Sequence, residues 1–192
     1  MSAIAWTTSY AVRISALLNQ LWQARAVESA TSQLELVASL RTYRAARREF
    51  LAFLGCKKSN RDPLAEFAER IAQAVLGGSL ATSRVQKGHD LVTENGETVQ
   101  VKYLANPEGT WVNEHPMDFR GGCDRYALLI VEGLDAKALV VFSREGLAGA
   151  CSELGKPHPN QDLTLQFTRA NYRAIATRPE RFEPFGVTFV QL

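Results

Sequence analysis

Apolar positions divide this chain into two stretches with different periods. Between positions 10 and 54 there is neither glycine nor proline, and apolar residues recur at helical spacing: Val12, Ile14, Leu17, Leu18, Leu21 and Trp22, then Leu34, Leu36, Val37 and Leu40. The pattern predicts helices, with breaks near 27–29 and 39–42 and with Gly55 closing the region. After a polar loop, Asp62-Pro63 predicts a new helix, Asp62 as N-cap and Pro63 at the first helical position. It is expected to end at Leu76, before Gly77-Gly78, and to bury Leu64, Ala68, Ile71 and Val75.

Beyond Gly78 the period shortens to two. Strands are predicted at 80–84, 90–93, 97–104, 126–132 and 139–142, with a last one at 187–191. Helices are predicted at 144–154 and 168–176. The segment 105–124 holds Gly, Pro, Asn and Asp and reads as a long excursion, with a short strand near Trp111. Helix, strands, helix, strand is an α/β order with a mixed sheet. At 192 residues the chain fits a helical region, 1–55, joined to an α/β domain, 56–192.

The hairpin around Asn95-Gly96 carries the candidate chemistry. Side chains alternate along a strand, so Gln100 and Lys102 share one face while Val99, Val101 and Tyr103 share the other. A two-residue Asn95-Gly96 turn pairs Leu91 with Gln100 and puts Asp90 on the wrong face. A three-residue loop, Glu94-Asn95-Gly96, with a left-handed Gly96, pairs Thr93 with Glu97 and sets Asp90 opposite Gln100. The sequence permits both. In the second register an acid, an amide and a lysine gather on one face. A hard cation takes oxygen ligands: the Asp90 carboxylate, the Gln100 amide oxygen and the Val101 carbonyl, with Glu69 of the preceding helix as a further acid. Lys102 suits an attacking water or the charge of a phosphate transition state. The plainer alternative makes Asp90 a strand-start residue and Gln100 and Lys102 the solvent-facing positions of an amphipathic strand.

Charge adds one feature. The net charge of +2 names no partner, but Arg41, Arg44, Arg47, Arg48, Lys57, Lys58 and Arg61 fall together against only Glu49 and Asp62. Clustered arginine suits phosphate contact, and it equally suits a solvated helix face. Cys56, Cys123 and Cys151 have no paired spacing, which argues against a disulfide framework or a structural zinc site. Cys123 and Cys151 read as small buried side chains. His89 flanks Asp90 and points to the opposite face. His115 and His158 lie in loops beside prolines, with Glu114-His115 a possible substrate contact. Trp111, Phe119 and Arg120 fit either nucleic-acid contact or lid packing. Neither a signal peptide nor a membrane span of roughly 20 apolar residues is expected, so the default compartment is the cytoplasm.

Taken together, the helix with Ala68-Glu69-Arg70-Ile71, then Gly77-Gly78, then Lys87-Gly88-His89-Asp90-Leu91-Val92, then Val99-Gln100-Val101-Lys102 resembles the core of the PD-(D/E)xK restriction-endonuclease-like nucleases. The resemblance covers about 62–102, with Asp124 ahead of the strand at 126 as a less specific addition. It implies a helix–strand–hairpin–strand–helix core and Mg²⁺- or Mn²⁺-dependent hydrolysis of DNA phosphodiester bonds, of restriction or phage-defence type. It implies Asp90 as metal ligand, Gln100 at the second acid position, Lys102 as catalytic lysine and Glu69 as helix acid. The chain departs from the pattern at Gln100, where most members carry Glu or Asp, and at His89, which replaces a proline. Some members are active with Gln there, and others with an eroded site only bind DNA.

Arg41, Arg44 and Arg48, with Lys87, are the expected DNA contacts. A homodimer is expected, because cutting both strands is most simply done by two sites related by a two-fold axis, and Leu17, Leu18, Leu21 and Trp22 offer apolar surface for it. The rival readings are a nucleic-acid-binding module that has lost cleavage, and an interaction protein working through its helical N-terminus.

Overall fold

The computed structural model describes residues 33–82, 88–156 and 158–192. The chain falls into two units, 1–53 and 54–192. In the first, residues 33–53 form one helix, α1. The break expected at 39–42 is absent. That stretch holds no Gly or Pro, and the Thr42 hydroxyl donates to the Ala38 carbonyl at 3.2 Å, inside the helix rather than against it. Leu34, Leu36, Val37, Leu40 and Tyr43 are exposed, as are Arg41, Arg44 and Arg48. The break at 27–29 and the proposed interface residues Leu17, Leu18, Leu21 and Trp22 lie outside the described residues.

In the second unit, α2 spans Pro63–Leu76. Asp62 Oδ1 accepts the Leu64 N–H at 2.8 Å, and Gly77, at φ +74°, ends the helix. The buried side follows the predicted stripe at Ala68 and Ile71 and departs from it at Val75. Ala68 and Ala72 are buried, with Phe67 and Ile71 packed beside them, while Val75 is exposed. The two alanines let the helix axis approach the sheet closely, and this turns Glu66 and Glu69 inward.

The strands are β1 (Ser79–Leu80), β2 (Leu91–Val92), β3 (Thr98–Asn106), β4 (His115–Asp118), β5 (Arg125–Glu132), β6 (Asp135–Ser143), β7 (Thr164–Phe167) and β8 (Thr188–Gln191). Six form one mixed sheet, in the order β1-β2-β3-β5-β6-β8; β3 and β5 are parallel and every other neighbouring pair is antiparallel. β4 and β7 make a separate antiparallel pair. Helix α3 (Leu147–Glu153) and helix α4 (Arg169–Thr177) complete the unit. This is the α/β class with a mixed, helix-flanked sheet. Two features differ from the core that the resemblance implies. The β3–β5 connection carries β4 and no helix, and β6 intervenes before α3.

The sheet has a core on each face. Val99 and Val101 of β3 pack with Leu91, Leu129, Val131, Leu139 and Val141 under α2. Leu104, Tyr126, Leu128, Ile130 and Phe142 pack on the other side against Met117, Leu165 and Phe167 of the small sheet and Leu147 and Ile175 of the later helices. β5 is buried from Tyr126 to Val131, as its unbroken apolar run requires. The strand expected at 80–84 ends at Leu80. The strand expected near Trp111 forms instead at His115–Asp118; Trp111 stacks on Tyr172 at 5.3 Å between centroids. Gly78 is required where it stands. At φ +87°, a Cβ there would lie 2.1 Å from the Val92 carbonyl oxygen, so only glycine lets β1 lie against β2.

Candidate active site

The hairpin between β2 and β3 sets the site. Thr93 N–H bonds the Glu97 carbonyl at 2.9 Å and Gly96 N–H bonds the Thr93 carbonyl at 3.0 Å, with Gly96 at φ +83°. This is the three-residue loop 94–96. Leu91 pairs with Val99 and Val92 with Thr98, so the continuing register sets Asp90 opposite Gln100. Leu91 and Val99 turn into the α2 core, which leaves Gln100 and Lys102 for the other face.

Asp90 is fixed from three directions. Its N–H donates to the Val99 carbonyl at 2.8 Å, and its Oδ2 accepts the Val101 N–H at 2.8 Å. Gln100 Nε2 donates to the same oxygen. Gln100 thus presents its amide N–H, not its oxygen, to the acid. The N–H and C=O of one strand residue point to the same side of the strand, so the Val101 carbonyl shares the edge on which Asp90 sits. Lys102 is exposed, one step along the same face.

Glu69 comes from the α2 side and is buried. Arg61 Nη2 lies 2.6 Å from its Oε1, an ion pair that holds the buried carboxylate. Burial pushes the Glu69 carboxyl above its ordinary range. Arg61 pulls it back in part, and the negative charges of Asp90 and Glu66 push it up further. Glu69 and Asp90 are therefore electrostatic neighbours. Glu66 is committed elsewhere, accepting from Ser59 Oγ at 2.6 Å and Cys56 Sγ at 3.3 Å.

A raised carboxyl binds a proton more readily in the folded chain than in the unfolded one. Stability therefore falls as pH rises from the ordinary carboxylate range through the raised value. The isosteric change Glu69→Gln is expected to lessen that fall, as read from thermal melts between about pH 4 and 7. An unchanged pH profile would count against a perturbed Glu69.

Two more residues join the site: His115, read from the sequence as a candidate substrate contact, and Tyr126, which the sequence left unassigned. His115 Nε2 lies 2.6 Å from Tyr126 Oη, and the rings are 5.8 Å apart. Tyr126 stands beside Gln100 in the β3–β5 register. Burial pushes the Tyr126 phenol well up, and Cys123, Asp118 and Asp90 add to this. Burial pushes the His115 imidazole down, helped by the Lys102 ammonium. The inward alternation of His115, Met117 and Phe119 was the available signal; Met117 and Phe119 are fully buried.

Other candidates separate from the site. Phe119 is core, so it offers nothing to nucleic acid, and Trp111 is packed with Tyr172. Arg120 is exposed and paired with Asp118 at 2.6 Å. His158 braces its own loop, with Nε2 3.0 Å from the Thr164 carbonyl oxygen and Nδ1 accepting the Asn160 N–H at 3.2 Å. Cys123 and Cys151 are free and buried. Lys87 lies outside the described residues. Arg41, Arg44 and Arg48 belong to the first unit.

Among the described residues no group of three His, Cys, Asp or Glu side chains converges on a metal position. The donor set nonetheless suits a hard cation held sparsely: the Asp90 carboxylate, the Val101 carbonyl and the Glu69 carboxylate, which Arg61 pairs in this structure. Mg²⁺ is typically bound through one or two carboxylates plus water and substrate phosphate. No helix among the described residues is long and apolar enough to cross a membrane. No protein-family model matches the chain, and no curated protein matches it.

Proposed function

We propose that the chain is a metal-dependent endonuclease hydrolysing DNA phosphodiester bonds, of restriction or phage-defence type, built on a PD-(D/E)xK core. The observation that carries this reading is the hairpin register, which joins Asp90 to Gln100 and the Val101 N–H with Lys102 next on the same face. The order α2, β1, β2, β3 followed by a parallel β5 supports it. Asp90, the Val101 carbonyl and Glu69 would hold the cation, Mg²⁺ or Mn²⁺; the Gln100 amide oxygen expected as a further ligand is turned away from Asp90. Bound there, the cation would polarise the phosphate and acidify a water. Gln100 holds the Asp90 carboxylate in place, and the Lys102 ammonium neutralises charge that builds on the phosphate. Incubation with phage, plasmid and methylated DNA, in Mg²⁺, Mn²⁺ or EDTA, tests the reading: discrete fragments that need the divalent ion support it, and intact DNA throughout counts against it.

The second reading is a nucleic-acid-binding protein on the same fold that no longer cleaves. What favours it is the pairing of the donors with one another: Gln100 gives its N–H to Asp90, and Arg61 neutralises Glu69. Both readings use α1 as a DNA contact. Arg41, Arg44 and Arg48 are exposed on it, and guanidinium forks suit phosphate oxygens. Arg44→Ala with Arg48→Ala is expected to weaken binding to all duplex sequences alike and to reduce the salt slope by about two. Unchanged affinity in a salt titration would remove α1 from the interface. Under the cleaving reading the protein acts as a homodimer, and sedimentation as a monomer at micromolar concentration would contradict this.

A further inference from the structure

The face that carries Asp90 and Gln100 holds one group more than the proposed reaction uses. His115 is held through one ring nitrogen, its Nε2 lying 2.6 Å from the Tyr126 hydroxyl. Tyr126 is itself buried and pairs with Gln100 across β3 and β5. A ring fixed at Nε2 keeps its other nitrogen in a defined place, and the bond at the first nitrogen sets the tautomer at the second. When the Tyr126 hydroxyl donates to Nε2, Nδ1 carries the proton. Nδ1 has no partner among the described residues. Lys102 lies on the same face of β3, two residues beyond Gln100, the register partner of Tyr126, and it has no acidic partner among the described residues. Burial and the Lys102 ammonium both disfavour the imidazolium. Two neighbouring donors, neither with an acceptor of its own, make a place for the oxygens of an anion.

We propose that His115, held by Tyr126, is a further substrate-contacting residue that gives its Nδ1–H to a phosphate oxygen of the bound strand alongside Lys102. The proposal rests on the nucleic-acid reading of this face. It adds a protein donor to that phosphate, and it explains why β4 brings an imidazole to a phenol beside Gln100.

The test reads the ring itself. Long-range ¹H–¹⁵N spectra of the full chain, recorded in EDTA with and without a short DNA duplex, follow the imidazole signals of His89, His115 and His158. Fluorescence anisotropy with the same duplex, labelled, measures binding separately. The His115 signals are expected to shift at saturation, and Tyr126→Phe to shrink that shift. His115→Gln is expected to weaken duplex affinity about 3- to 10-fold, the net worth of one hydrogen bond. If His115→Gln does not fold, His89→Gln and His158→Gln assign the ring by exclusion, and the shift in the native chain still decides. Duplex binding with the His115 signals unmoved overturns the proposal and leaves the nucleic-acid reading intact. No binding by anisotropy removes that reading and this contact together.

Discussion

Asp90→Asn is expected to lower divalent-ion-dependent cleavage on the order of 100- to 1,000-fold while leaving the fold intact, and Lys102→Ala to do the same. The two substitutions act differently. Asp90 has a structural duty as well as a charge, because its Oδ2 accepts the Val101 N–H at 2.8 Å and the Gln100 amide. Asparagine can keep an oxygen for Val101 and removes only the charge. Alanine also strips Val101 of its acceptor at a half-buried position, which costs about 1–3 kcal/mol and lowers the melting temperature by several degrees. Comparing Asp90→Asn with Asp90→Ala therefore separates chemistry from support. Lys102 is exposed and bridges to no acid among the described residues, so its loss should be silent in a melt. The measurements are single-turnover cleavage and thermal denaturation of each variant. Wild-type cleavage by Asp90→Asn would mean that the reaction happens elsewhere.

Much of this site was legible because a strand has only two faces. Once the Asn95-Gly96 turn is recognised, two registers remain, and the apolar residues Leu91, Val99 and Val101 must turn inward together. What the sequence left open was the loop length, which the hydrogen bonds from Thr93 and Gly96 decide. The partners of the site were harder to read. Arg61 looked like part of a basic patch, yet it sits against Glu69. That contact joins a loop to a helix and leaves no periodic trace. His115 and Tyr126 meet from an irregular excursion and a buried strand. Tyr126 alone reads as one more core aromatic. β7 escaped notice because it is only four residues long, although Leu165 and Phe167 alternate inward. α2 was placed correctly at both ends by its cap and glycine. Its buried side was read in part: Ala68 and Ile71 pack inward as expected, while Val75 is exposed and the small Ala72 is fully buried.

Gln100→Glu is expected to turn the site into one whose stability depends on a divalent cation. In the native chain the Gln100 amide donates to the Asp90 carboxylate, so the pair is satisfied without any ion. Glutamate at that position removes the donor and sets a second negative charge against Asp90, with Glu69 a further neighbour. Like charges so placed raise one another's proton affinity and destabilise the fold at neutral pH. In EDTA the variant should melt below the wild type, by on the order of 1–3 kcal/mol for the lost, half-buried interaction. Adding Mg²⁺ or Mn²⁺ should restore it, because an ion at 100 times its dissociation constant contributes about 2.7 kcal/mol to the folded state. The wild type should gain less from the same addition, having one carboxylate fewer. The variant also separates the two readings of function. If the native chain cleaves, Gln100→Glu should keep or increase the rate at low metal. If the native chain only binds, Gln100→Glu is the single change most apt to bring back ion-dependent cutting. Equal melting temperatures for Gln100→Glu in EDTA and in Mg²⁺ would show that Asp90 and position 100 do not form a cation site, and the nuclease reading would lose its chemical basis.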